Sequence, residues 1–199
     1  MPKALSDQDV AEFRERLCDA AERQFAEHGL EAVTMRQLAQ DLGVSPMTPY
    51  RYFKDKDAIL AAVRARAFDR HATALEAAYA TSGDLQTRAN AVGEAYVRFA
   101  LANPEAYKLM FDVKQPSADN YPDLVRAGIR SKRTMTAHVR EMIEARELEG
   151  DPGMIGHMFW SAIHGAIQLQ MADMLASPYD APAIIMETVE TLWKGLRRA

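Results

Sequence analysis

The chain has one cysteine, Cys18, which excludes an internal disulfide and any multi-cysteine metal site. Cys18 follows Leu17 on a stretch of helical periodicity, so it reads as a small packing residue. No strand-like alternation, internal repeat or low-complexity segment is present. Also missing are H-E-x-x-H, G-x-S-x-G and a glycine loop able to cradle a phosphate. Di-iron bundles need Glu-x-x-His pairs on two helices, and the sequence has none. The five histidines are scattered, and only His157 and His164 share a helix face, with no third metal ligand nearby. These absences argue against an enzyme, a cofactor and a metal site. Positive charge is not in excess either: the net charge is −4, so a nucleic-acid reader must concentrate its cations locally. Residues 154–172 hold no Asp, Glu, Lys or Arg. His157, Ser161, His164, Gln168 and Gln170 interrupt them, and no basic cluster flanks them, so they do not read as a membrane span. The first ten residues lack the apolar core of a signal peptide. The expected compartment is the cytoplasm, with no membrane partner.

What is present is helix. Apolar residues make up 48% and charged residues 26% of 199 residues, enough for a real core. The most informative stretch is 34–56, TMRQLAQDLGVSPMTPYRYFKDK. Thr34 and Gln37 stand as N-cap and N3 of a capping box, with Val33 and Leu38 as its apolar staple. Met35, Leu38, Ala39 and Leu42 form an apolar stripe at helical spacing, and Gly43 sits where a left-handed residue ends a helix. Ser45 and Pro46 then read as N-cap and N1 of a second short helix. Two helices around a tight glycine turn form the helix-turn-helix signature, whose second helix enters the DNA major groove. Thr48, Tyr50, Arg51 and Tyr52 crowd that helix, with Lys54 and Lys56 beyond it. Hydroxyls and cations are what phosphate and base-edge contacts require. The segment carries four cations against Asp41 and Asp55, a local positive balance in an acidic chain. From spacing alone, a solvated helical hairpin within an all-α core is the competing reading.

With the preceding helix included, the segment resembles the DNA-binding domain of the TetR family of regulators. The matching features are Ala20, Ala21 and Phe25, then His28-Gly29, Thr34, Leu38-Ala39, Gly43-Val44-Ser45, Thr48, Tyr50, Phe53, Lys54, Lys56 and Leu60. Pro49 departs from the pattern, where the family usually has an aliphatic residue. It removes the first intrahelical bond, back to the Ser45 carbonyl. The resemblance implies contact with double-stranded operator DNA through Thr34, Arg36, Ser45, Pro46, Met47, Thr48, Tyr50, Arg51, Tyr52, Lys54 and Lys56. Arg36 matches a position that can reach a base and Lys56 one that contacts phosphate.

The rest of the chain reads as further helices, giving an all-α fold. The first helix runs from about Asp7 to His28, capped by Ser6 with Asp9 at N3. Asp55 caps a long fourth helix that ends near Gly83. We place the boundary within it, dividing a DNA-binding domain at 7–71 (motif 34–53) from a C-terminal domain at 72–199. Helices follow over about 84–102, 104–113, 122–148, 154–176 and from the SPYDAP break to near Arg198, with a loop over 114–122. In the helix from Pro122, the expected buried residues are Val125, Ile129, Met135, Val139, Met142 and Ile143.

Ile185, Val189, Leu192, Trp193 and Leu196 give the last helix an apolar stripe. The TetR resemblance implies homodimerisation through the last two helices, against a purely intramolecular core. Trp160-Ser161-Ala162-Ile163-His164-Gly165 also resembles a pattern in one branch of the family's C-terminal domains. His157, Ser161, His164 and Gln168 recur at spacings of four, three and four, a polar seam on an apolar helix. It faces water, bonds across a dimer, or lines a pocket; the pocket reading is preferred, because pockets are apolar with a few placed polar groups. Tyr96, Phe99, Tyr107, Phe111, Trp160, Ser161, His164 and Gln168 are then the candidate ligand-binding residues, for a small, mainly apolar effector. The expected function is a homodimeric repressor released from its operator by that effector. A helical protein–protein interaction module without DNA binding is the alternative.

Overall fold

The computed structural model describes residues 6–111 and 120–197. Most of the expected loop over 114–122 lies outside them. Among the described residues the architecture is all-helical: α1 Asp7–His28, α2 Met35–Asp41, a 3-10 turn Pro49–Arg51, α3 Lys56–Tyr79, α4 Leu85–Ala102, α5 Pro104–Phe111, α6 Pro122–Glu144, α7 Pro152–Met171 and α8 Ala181–Leu196. The helix starts are locally encoded. Ser6 and Asp9 form a complete capping box on α1, as do Thr34 and Gln37 on α2. Asp84, Asp151 and Asp180 cap α4, α7 and α8 by accepting the backbone N–H three residues on.

Two compact units divide the chain. One holds residues 1–68 and 108–127, the other 69–107 and 128–199. The first unit's core is apolar: Leu17, Ala21, Phe25, Val33, Leu38, Phe53, Ile59 and Val63 are buried together, with Cys18 among them as a packing residue. The second unit's core joins Ala89 of α4, Val139 and Met142 of α6, Ile155 and Phe159 of α7 and Trp193 of α8. It also buries polar groups. His71, Ser131, Thr134 and His138 are all less than a tenth exposed.

Those polar groups correct the expected face of α6. Of the expected residues Val139 and Met142 are buried, but the buried stripe otherwise runs through Leu124, Ala127, Ser131, Thr134 and His138, and Ile129 is 63% exposed. An apolar-pattern reading could not follow a stripe whose middle third is polar. Two helix ends were equally opaque. α2 closes at Gly43 (φ +65°), with the Val44 N–H bonded to the Ala39 carbonyl. α6 and α7 close in the same way at Arg146 (φ 62°) and Asp173 (φ 55°), through Glu147 to Met142 and Met174 to Leu169. Only the first uses the glycine that marks such an end in sequence.

Candidate functional site

The helix-turn-helix is built from the first unit's core outward. Met35, Leu38 and Ala39 anchor α2 from below, while Arg36, Gln37 and Gln40 are exposed. The second element is not the α-helix expected from Ser45 and Pro46. Pro49 has no N–H to give the Ser45 carbonyl, so Thr48 donates to that carbonyl instead (2.9 Å). The chain turns and then makes the single 3-10 turn Pro49–Arg51, closed by Arg51 to Thr48 (3.1 Å) and Tyr52 to Pro49 (3.0 Å). Among the described residues Ser45 makes no N-cap bond; its hydroxyl meets that of Thr48 at 3.1 Å. Pro49 and Phe53 point into the core. Ser45, Pro46, Met47, Tyr50, Arg51 and Lys54 are exposed, Met47 at 68% and Tyr50 at 49%.

The expected DNA-contacting residues therefore fall into two groups. Thr34, Arg36, Ser45, Pro46, Met47, Tyr50, Arg51 and Lys54 share the open surface, with Thr48 half-buried among them. Arg36, Arg51 and Lys54 form no ion pair among the described residues, so their charge is available to an anion. Tyr52 and Lys56 are tied into the fold. Tyr52 packs its ring on Phe13 at 4.4 Å and its carbonyl accepts from the Arg14 guanidinium. The Lys56 ammonium donates to the Leu30 carbonyl at 2.8 Å. Sequence reading missed Arg14, which also lies over the Phe53 ring at 4.0 Å. It is half-buried, but in sequence it is one of many charges along α1, and nothing local distinguishes it.

The second unit contains a cleft of about 820 Å³ between α4, α6, α7 and α8. Its walls are mainly apolar: Val92, Phe159, Ile163, Ile185, Val189 and Trp193. Tyr96 and Trp160, two of the candidate ligand residues, line it. They begin a hydrogen-bond chain. The Trp160 indole N–H donates to the Tyr96 hydroxyl (3.0 Å), which meets the Tyr107 hydroxyl (2.8 Å), which meets His164 Nδ1 (2.6 Å). His164 Nε2 lies 3.3 Å from the Gln168 amide nitrogen. Burial pushes the Tyr96 hydroxyl up to about 12, raises that of Tyr107 further and lowers the His164 imidazole, so the chain is neutral. Tyr107, His164 and Gln168 thus support the cleft wall from behind.

The other expected ligand residues lie elsewhere. Ser161 is exposed and does not line the cleft, and His157 bonds the Gly153 carbonyl of its own helix (2.7 Å). Phe99 packs on the His71 ring at 5.0 Å. Phe111 belongs to the first unit, edge-on to Phe68 at 5.7 Å. The α8 stripe expected on a dimer face turns inward. Ile185, Val189 and Trp193 line the cleft, and Leu192 and Leu196 pack on the core beneath it. On these two helices the exposed large apolar residues include Met154, Met158 and Leu169 of α7, and Met186 of α8, which also lines the cleft. Sequence reading also missed Gly93 and His138, both of which line the cleft.

Comparison with known proteins agrees with this architecture. Residues 17–63 match the family model "Bacterial regulatory proteins, tetR family", and residues 89–192 match "Tetracyclin repressor-like, C-terminal domain". The two matches take in both the helix-turn-helix and the cleft-bearing helices, and the chain belongs to the TetR family of transcriptional regulators. A curated relative, the HTH-type transcriptional repressor Rv1474c of Mycobacterium tuberculosis, is 40% identical over 63 residues, 32% of this chain and 33% of that protein. The chain thus spans about a third of that relative's length. Among solved structures, a protein of unknown function from Rhodococcus sp. RHA1 is similar over 100% of both chains, at 29% identity and a TM-score of 0.82. The TetR family transcriptional regulator PfmR from Thermus thermophilus is similar over 92% of this chain and 100% of its own, at 25% identity and a TM-score of 0.71. No helix among the described residues is long and apolar enough to cross a membrane.

Proposed function

We propose that this regulator is a cytoplasmic, homodimeric repressor that leaves its operator when a small, mainly apolar molecule enters the cleft. The observation that carries this reading is the position of Tyr96. Its ring lines the cleft and also meets the His71 ring of α3 edge-on at 4.8 Å. α3 is the helix that begins directly after the helix-turn-helix. An effector that displaces Tyr96 therefore acts on α3. The cleft volume lies in the range of small-molecule sites, roughly 300–1,000 Å³. For the response to be release, the effector must bind the DNA-free state more tightly than the DNA-bound one.

On the DNA side, Arg36, Arg51 and Lys54 supply charge, and Met47 and Tyr50 stand among them. With one 3-10 turn in place of a recognition helix, α2 and this turn together meet the groove. Dimerisation sets the spacing of two half-sites, about 34–36 Å or one helical turn apart in motifs of this kind. The dimer face we assign is the outward apolar surface of α7, with Met154, Met158 and Leu169, since the α8 stripe is used within the subunit. Met158→Glu should give monomers by light scattering; a stable dimer would move the face elsewhere. Gel retardation on the chain's own upstream region tests the function directly. The expected result is sequence-selective binding that weakens with salt and is reversed by a cleft ligand. A protein that retards no DNA would favour the interaction-module reading.

A further inference from the structure

The cleft contains a polar group that neither the hydrogen-bond chain nor the apolar walls account for. His138 of α6 lines it and is 8% exposed. Its Nδ1 is sealed from solvent and has no hydrogen-bond partner among the described residues. The Thr134 backbone, one turn back, acts on the ring electrostatically without reaching hydrogen-bond geometry. With Nδ1–H turned toward that backbone, the Nε2 lone pair is what the ring offers to the cleft. Desolvation pushes the imidazole down to about 4, so the ring is neutral near pH 7 and offers a lone pair rather than a charge. A ligand hydroxyl that donates to Nε2 gains a hydrogen bond to a largely desolvated acceptor, while the sealed Nδ1 is not reached. The other buried polar group in the wall, the Tyr96 hydroxyl, is already bonded to Trp160 and Tyr107.

We infer that the cleft selects a neutral molecule, apolar over most of its length, that carries one hydroxyl donating to Nε2 of His138. This rests on the cleft being the effector site, and it adds the chemical class of the effector. A carboxylate or ether of the same shape has no donor for that lone pair, and an ammonium would lose its hydration against the buried lining, since the carboxylates that also line the cleft, Glu94 and Glu190, are exposed. Sites built around a ligand hydroxyl discriminate strongly against the analogue that lacks it.

The molecule supplies its own reporter. The chain has two tryptophans, Trp160 and Trp193, and both line the cleft. Tryptophan emission of the full-length protein is titrated with 4-octylphenol and with 4-octylanisole, which matches it in shape but lacks the O–H. The phenol should bind at least about tenfold tighter, as one hydrogen bond to a buried acceptor implies. His138→Leu should bring the phenol down to the level of the anisole and leave the anisole unchanged. His138→Gln, which restores an acceptor, should recover part of the preference and guards against a folding defect in the leucine variant. Gly93→Phe, which projects a ring from α4 into the cleft, should abolish binding of both probes. Equal affinity of the two probes for the wild type, or a preference that survives His138→Leu, overturns the inference and leaves the cleft as a binding site. Binding of neither probe, or binding that Gly93→Phe does not touch, overturns the cleft assignment itself.

Discussion

The two units bury different things. In the first, the residues packed around Leu17, Leu38 and Ile59 are apolar throughout. In the second, the interior holds His71, Ser131, Thr134 and His138, along with the hydroxyls of Tyr96 and Tyr107. An apolar core asks only for shape and stabilises a fixed platform, here a surface for DNA. A core with polar groups must satisfy each of them, and one that lines a cleft, as His138 does, gives a ligand something to recognise. His71 shows both sides. Its Nδ1 meets the Ser131 hydroxyl at 2.8 Å, while its Nε2 is buried without a partner among the described residues.

Acid should separate the two units most. Burial pushes His71 and His138 down to about 4 from an unfolded value near 6.5. Between those values the unfolded chain binds protons that the folded one refuses, so stability is full above pH 6.5 and falls as pH drops toward 4. The limiting loss is roughly 3 kcal/mol per histidine. Urea midpoints measured from pH 7 to pH 4.5 should fall steeply, and His71→Leu should flatten the profile. A wild-type profile with no slope in that window would erase the contrast. Next comes Tyr107→Phe, which strips a hydroxyl from the middle of the chain and removes one hydrogen bond each from Tyr96 and His164. It should cost about 1–3 kcal/mol in thermal unfolding and loosen the cleft wall, with no change in contacts of the helix-turn-helix. In the first unit, Thr34→Ala removes the α2 capping box and should cost about 1 kcal/mol, independent of pH between 5 and 8. The smallest effect is expected at Arg146, whose left-handed backbone suits glycine. Arg146→Gly should raise stability by up to about 1 kcal/mol, and a loss there would show that the arginine side chain contributes something its backbone strain hides.

The same contrast explains what was legible in the sequence. Thr34, Gln37, Gly43 and the stripe through Leu38 are local signals, and they placed α2 and its ends from residues a few positions apart. Pro49 was legible as a lost bond. Its consequence, a 3-10 turn in place of an α-helix, depended on the Ser45 carbonyl finding Thr48 instead. In the second unit the signals are non-local. Tyr96 and Trp160 were among the aromatic candidates and do line the cleft. His138 did not, because the polar seam of α7 drew the reading to His157 and His164, and because Ser131, Thr134 and His138 break the apolar pattern of α6. The inward turn of Ile185 and Trp193 was hidden for a related reason: an apolar stripe says that a face is covered, and not by which chain.

The claim at the centre of this account is that DNA binding and effector binding occupy different units and are coupled through Tyr96 and α3. The most direct test is the affinity of a labelled operator fragment, by fluorescence anisotropy, for wild type and Gly93→Phe, with and without a molecule that binds the cleft. The account predicts that the two proteins bind the operator within about threefold of each other, and that the cleft ligand weakens the wild type at least about tenfold while leaving Gly93→Phe unmoved. A Gly93→Phe protein that still releases DNA in response to the ligand, or a wild type that holds its operator with the cleft filled, would contradict it.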